Sequence, residues 1–164
     1  MRLSHVTTAT LLAALAAAPL ARAQHDEPDP EGMLAAGDAI PAFDAEGLDG
    51  EVRRISFAGK STVLMFFLSS CPTCHKMIPE WNRAFQRKPD GLQVVGIMLD
   101  REPPGFFMTM PVEFPVVRPP TRRFAAELGV LRVPYTVRVG PDGVVQNAVK
   151  GVLDPISLGE YFRP

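Results

Sequence analysis

The stretch that decides the fold is Ser61-Thr62-Val63-Leu64-Met65-Phe66-Phe67-Leu68-Ser69-Ser70-Cys71-Pro72-Thr73-Cys74-His75-Lys76-Met77-Ile78-Pro79-Glu80-Trp81. Val63 to Leu68 is an apolar run of core-strand length, rich in β-forming residues. Beyond the cysteines, Met77, Ile78, Trp81 and Phe85 recur at helical spacing, with Lys76, Glu80, Arg83 and Arg87 on the outward faces. A buried strand, a sharp turn and an amphipathic helix therefore follow one another, and the two cysteines open the helix. Unpaired backbone N–H groups and the positive end of the helix dipole stabilise a thiolate at such a place.

The chain has 164 residues, 46% of them hydrophobic, which suits one domain with a real core. Its opening reads differently. Arg2 and His5 precede an Ala/Leu-rich run from Thr10 to Leu20, and Ala21-Arg22-Ala23 has the form of a cleavage site. Residues 1–23 are thus expected to be a secretory signal peptide, the run being too short for a comfortable membrane span. No cysteine lies near the cleavage site to carry a lipid anchor. The mature chain is expected to be periplasmic, with no membrane anchor.

Removal of that segment takes away Arg2 and Arg22 and no acid, so the mature chain is more acidic than the whole chain's −1. Nothing in that balance favours a nucleic-acid partner or an anionic membrane. The only two cysteines sit in the motif, so no disulfide scaffold is available. A bond between them closes a very short loop and constrains the unfolded chain little. The pair's value is chemical.

Residues 24–37 hold Asp26, Glu27, Pro28, Asp29, Pro30 and Glu31 and read as a flexible acidic arm, with the domain occupying 38–164. Ile40 to Phe43 is expected to be a short edge strand or extended segment, and Val52 to Ile55 a strand beyond the turn at Leu48-Asp49-Gly50-Glu51. Leu92 to Leu99 is a near-continuous apolar run, as in a parallel strand covered on both faces; with the preceding strand and helix it makes a βαβ unit. Asp100 to Met110 reads as an irregular or short helical segment over the core, and Phe114 to Val117 as a short strand. A helix is expected from Pro120 to Leu128, ended by Gly129. Thr136 to Val139 and Val144 to Val149 form a hairpin about Gly140-Pro141-Asp142-Gly143. Asp154 caps a last helix from Pro155 to Phe162.

Taken together, the pattern resembles the thioredoxin-like superfamily, and within it the exported TlpA/ResA type of thiol-disulfide oxidoreductase. The likeness runs from Asp38 to the C-terminus. It rests on the strand–Cys-x-x-Cys–helix unit, Pro79 five residues after Cys74, Gly129-Val130-x-x-Val133-Pro134, the Gly140–Val145 hairpin, and the extension Gly37-Asp38-x-Ile40-Pro41-x-Phe43 with Asp49-Gly50. The resemblance implies an α/β thioredoxin-like fold, a central mixed sheet flanked by helices with an N-terminal strand/hairpin extension. It implies an enzyme that exchanges disulfides, with Cys71 as nucleophile and Cys74 as resolving cysteine. Pro134 becomes the cis-proline that meets the substrate backbone, with Val133, Pro72 and Thr73 as substrate-binding neighbours. No organic cofactor and no metal are implied beyond the redox-active pair. The implied partners are client-protein cysteines and a membrane or periplasmic electron donor, the protein itself being a monomer. Reduction of apocytochrome c or copper-site cysteines is the expected direction, which places the chain in cytochrome c biogenesis.

Three features depart from the pattern. Pro-Thr separates the cysteines, Ser70 precedes them where many relatives carry Trp, and Met65 stands where thioredoxins keep a buried acid. Glu80 is a conceivable replacement for that acid, although a solvated helix-face role is the simpler reading.

Two other chemistries fit the motif. Cys71-x-x-Cys74-His75 is also the attachment signature of c-type haem, with Met108 or Met110 as a distal ligand; the buried strand before the motif argues against it. Two thiolates, His75 and the methionines would also suit Cu(I), as a copper-binding or chaperone module, although Met108 and Met110 read more simply as core filler. His75 itself reads as an exposed residue of the first helical turn. A peroxidase is disfavoured, because no Thr precedes either cysteine at the peroxiredoxin spacing.

Overall fold

The computed structural model describes residues 33–163. Its strands are β1 (Phe43–Gly47), β2 (Val52–Ile55), β3 (Thr62–Phe67), β4 (Gln93–Met98), β5 (Val116–Arg118), β6 (Tyr135–Val139) and β7 (Val145–Lys150). The helices are α1 (Pro72–Gln86), α2 (Phe106–Thr109), α3 (Phe124–Glu127) and α4 (Pro155–Tyr161). The strands make one sheet in the order β2-β1-β5-β4-β3-β6-β7. β3 pairs parallel with β4 and antiparallel with β6, so the sheet is mixed and β3 is its centre. The β1–β2 hairpin adds to the edge through β5. This is the thioredoxin-like fold with an N-terminal hairpin extension.

All six residues of β3 are buried, which explains its unbroken apolar run. Val63, Met65 and Phe67 face one layer, with Met77, Ile78 and Trp81 of α1 and Leu158 and Tyr161 of α4. Leu64 and Phe66 face the other, with Phe43, Phe57 and Phe124. Trp81 Nε1 donates to Thr136 Oγ1 at 3.2 Å, pinning α1 across the sheet. Arg138, buried in β6, donates to the Tyr161 carbonyl at the end of α4. Asp154 caps the start of α4 by accepting from the N–H groups of Ile156 and Ser157.

The boundary of the acidic arm shifts. Met33 and Leu34, assigned to it by composition, are buried. Leu34 N–H donates to the Gly129 carbonyl at 3.2 Å, and Tyr135 Oη donates to the Leu34 carbonyl at 2.5 Å. Gly37 N–H then donates to the Val145 carbonyl at 2.9 Å. The signal segment and the acidic residues themselves lie outside the described residues.

Two elements differ in extent from the expectation. The helix read over 120–128 is only the single turn Phe124–Glu127, because with only Phe124 buried there is little packing to hold a longer one. Of the edge strand or extended segment expected from Ile40, the residues before Phe43 are the segment, with Ile40 buried and Ala39 bridging Val144, and the strand begins at Phe43.

Candidate active site

β3 ends at Phe67, and Leu68 to Ser70 turn the chain into α1. Cys71 is the N-cap of that helix, with extended backbone (φ −90°, ψ 111°), and Pro72 occupies the first turn, where its missing N–H costs nothing. The cap is made by sulfur: Cys74 N–H donates to Cys71 Sγ at 3.2 Å. That contact spends one of the orphan N–H groups of the helix start on the first cysteine.

The two thiols differ sharply in surroundings. Cys71 is partly exposed, whereas Cys74 is completely buried among Met77, Ile78 and the β3 side chains. Burial first, and a hydrogen bond with Cys71 second, push the Cys74 thiol up to about 12. Pro72 and Thr73 between them are exposed. Met65 is buried beneath the pair and brings no charge.

Pro134 lies one residue before β6, whose Tyr135 pairs with Phe66. The register thus brings it to the sheet end where the cysteines lie. The Val133–Pro134 bond is cis. Gly151 N–H donates to the Pro134 carbonyl at 2.8 Å. Val133 is partly buried and packs against both core layers. Among the described residues its backbone N–H and carbonyl make no hydrogen bond.

His75 is less exposed than its place in a first helical turn suggests. Its Nε2 donates to the Ser69 carbonyl at 2.7 Å, and its ring lies 5.9 Å from that of Phe106. The contact brings α2 beside the helix start. Met108, read as core filler, is instead 89% exposed on α2, while Phe106 is buried and Met110 only partly so. Glu80 pairs with Arg83 at 2.5 Å on the flank of α1. Among the described residues, no group of three or more His, Cys, Asp or Glu is placed to hold a metal ion.

One residue near the cysteines escaped the sequence reading. Asp100 follows the carboxyl end of β4, and its carboxylate accepts from the N–H and Oγ of both Ser69 and Ser70 at 2.7 to 3.1 Å. The available signal was the parallel pairing: an acid just past β4 lies next to whatever follows β3.

The model of the AhpC/TSA family matches residues 36–148. The chain belongs to that family. Among curated members of similar sequence is the thiol-disulfide oxidoreductase ResA of Bacillus thuringiensis, 25% identical over 138 residues, covering 81% of this chain and 80% of ResA. A structure attributed to the thiol:disulfide interchange protein DsbE of Chlorobium tepidum is 28% identical with a TM-score of 0.67, covering 78% of this chain and 95% of that one. DsbF of Mycobacterium tuberculosis is 30% identical with a TM-score of 0.64, covering 73% and 92%. Thiol-disulfide oxidoreductase is accordingly the enzyme class of this AhpC/TSA family member. No helix among its described residues is long and apolar enough to cross a membrane.

Proposed function

We propose that this chain is an exported, periplasmic reductase of client-protein disulfides, with Cys71 attacking and Cys74 resolving. The observation that carries it is the division between the two sulfurs. Cys71 is reachable and held by a helix N–H, while Cys74 is buried and keeps its proton. Such a pair attacks outward through one sulfur only.

In the first step the Cys71 thiolate attacks one sulfur of a client disulfide. The client S–S bond breaks, a mixed disulfide forms, and the second client sulfur leaves as thiolate. That thiolate takes the Cys74 proton. Cys74 then attacks Cys71 Sγ, the bond to the client breaks, and the Cys71–Cys74 disulfide forms. Two electrons pass to the client, and a dithiol donor protein returns them.

Binding of the client backbone falls to the segment before β6. The unpaired N–H and carbonyl of Val133 offer an extended client strand one rung of pairing, beside the ring of Pro134. Pro72 and Thr73 form the near rim. The far rim is α2, where Phe107 and the exposed Met108 border a hollow of ≈ 300 Å³ with Pro103, Pro104 and Gly105. Methionine suits a surface that meets clients of varied shape.

The reducing direction and the client class follow the TlpA/ResA likeness: apocytochromes c or copper-site proteins, whose cysteines must be reduced before loading. The test is the reduction potential of the mature protein in thiol buffers. A value near or below about −270 mV supports a reductase, and one near −120 mV makes it an oxidant instead.

A further inference from the structure

We propose that Asp100 is a positioning residue for the dithiol: it holds the turn that presents Cys71, and its charge sets the balance between dithiol and disulfide. The proposal rests on the exchange reading above and adds a residue to it.

The geometry carries both halves. Four donors converge on one carboxylate, two backbone N–H groups and two hydroxyls, all from the dipeptide that precedes Cys71. Ser69 is buried, and its own carbonyl accepts from His75 Nε2 at 2.7 Å. Asp100, Ser69 and His75 thus tie the end of β4 through the turn to the first turn of α1. Cys71 sits inside that loop of contacts, its N–H donating to the Leu68 carbonyl at 3.2 Å. Asp100 raises the Cys74 thiol through its charge, after burial and Cys71.

The groups around Asp100 leave its charge standing. On α1 its charge reaches the Cys74 thiol. Two residues further along the chain, Glu102 is held by Arg118 at 2.8 and 2.9 Å, which offsets its charge locally. Among the described residues no Lys or Arg pairs with Asp100. In the dithiol state a thiolate at the pair therefore faces a fixed negative charge. In the disulfide state there is no sulfur charge to repel. The carboxylate consequently favours the disulfide, which makes the dithiol the stronger reductant. It does so where Met65 leaves no acid beneath the cysteines.

The experiment compares the wild type with Asp100→Asn, which keeps the shape and removes the charge. Two readouts are taken on the mature protein: equilibrium with glutathione, and the pH profile of Cys71 alkylation by iodoacetamide in the fully reduced form. Asp100→Asn is expected to favour the dithiol about tenfold, a rise of about 30 mV, and to move the alkylation profile to lower pH by about one unit. A Ser69→Ala, Ser70→Ala double variant strips two donors from the carboxylate and leaves its charge less compensated, so its profile moves the opposite way. Agreement of Asp100→Asn with wild type to within about twofold in both readouts overturns the proposal. So does a double-variant profile that stays put or moves with Asp100→Asn, even if the Asn variant fails to fold. A wild-type protein that reduces no client sinks the functional reading alone, because alkylation reports the thiolate without any client.

Discussion

Cys74 N–H donates to Cys71 Sγ across 3.2 Å, while the Cys74 side chain itself lies wholly within the core. On the proposed assignment, one residue thus supplies both the amide that steadies the attacking sulfur and the thiol that later displaces it. Substituting each cysteine separates these duties. Cys71→Ala is expected to lower client reduction to the uncatalysed background. Cys74→Ser keeps the amide and loses the resolving thiol, so mixed disulfides through Cys71 accumulate and are recovered on non-reducing gels. Equal trapping by Cys71→Ser would reverse the two assignments.

Burial of Cys74 has a consequence for stability against pH. Its thiol is raised from an ordinary 9.0 to about 12 by burial first and by Cys71 second. Below pH 9.0 both folded and unfolded chains keep the proton and the reduced protein has its full stability. Between 9.0 and about 12 the unfolded chain gives it up first, so stability falls, by at most about 1.4 kcal/mol per pH unit. Tyr161, raised to about 12 chiefly by burial, acts in the same sense but is present in both redox forms. Denaturant titrations of reduced and oxidised protein from pH 8 to 11 should therefore show the reduced form losing ground above about pH 9. A constant difference between the two forms would contradict a buried, protonated Cys74.

How much of this was legible beforehand depended on the length of the pattern. β3 and α1 each carry enough apolar residues to declare their type, and the Gly140–Gly143 turn declares its hairpin. Gly143 (φ +82°) takes a backbone conformation that suits glycine. Short features were not legible. Met33 and Leu34 are two apolar residues at the end of an acidic stretch, and only the partners at Gly129 and Tyr135 make them core. Asp100 reads only as the first residue of an irregular or short helical segment until the parallel pairing of β3 and β4 sets it against Ser69 and Ser70. Met108 is one of three consecutive apolar residues on a one-turn helix too short to bury them all.

On the proposed reading, that exposed methionine separates client recognition from chemistry. Met108→Asp adds a charge to the α2 rim without disturbing a packed contact, since the side chain is 89% exposed. The expected result is unchanged equilibrium with glutathione and unchanged stability to within about 0.5 kcal/mol. Reduction of a protein disulfide should slow several-fold, chiefly through KM. A slower reaction with glutathione as well would place Met108 in the chemistry and not in recognition.

Close packing above the sheet is concentrated at Gly96 of β4. A Cβ there would stand 2.6 Å from the Phe114 ring and 3.2 Å from Phe67, in the aromatic group that also includes Trp81. Gly96→Ala is therefore expected to cost about 1–3 kcal/mol through overpacking, measured by denaturant unfolding. The reduction potential should hold, because the strain falls on Phe114 and not on the turn at the cysteines. A neutral or stabilised variant would mean that the rings give way without cost.

The last test concerns where the folded unit begins. Leu34 is buried, and its backbone is held at both ends, by the Gly129 carbonyl and by the Tyr135 hydroxyl. Tyr135 opens β6 directly after Pro134, so the segment 33–37 braces the strand that follows the cis-proline from the face opposite α1. Leu34→Ala leaves those backbone bonds in place and removes only the packed side chain, for an expected loss of about 2–5 kcal/mol. Ala36→Ser, at an exposed neighbouring position, should change stability by less than about 0.5 kcal/mol. Both are read from the denaturant midpoint of the mature protein. A Leu34→Ala loss as small as that of Ala36→Ser would return residues 33–37 to the acidic arm, and with it the domain start near Asp38.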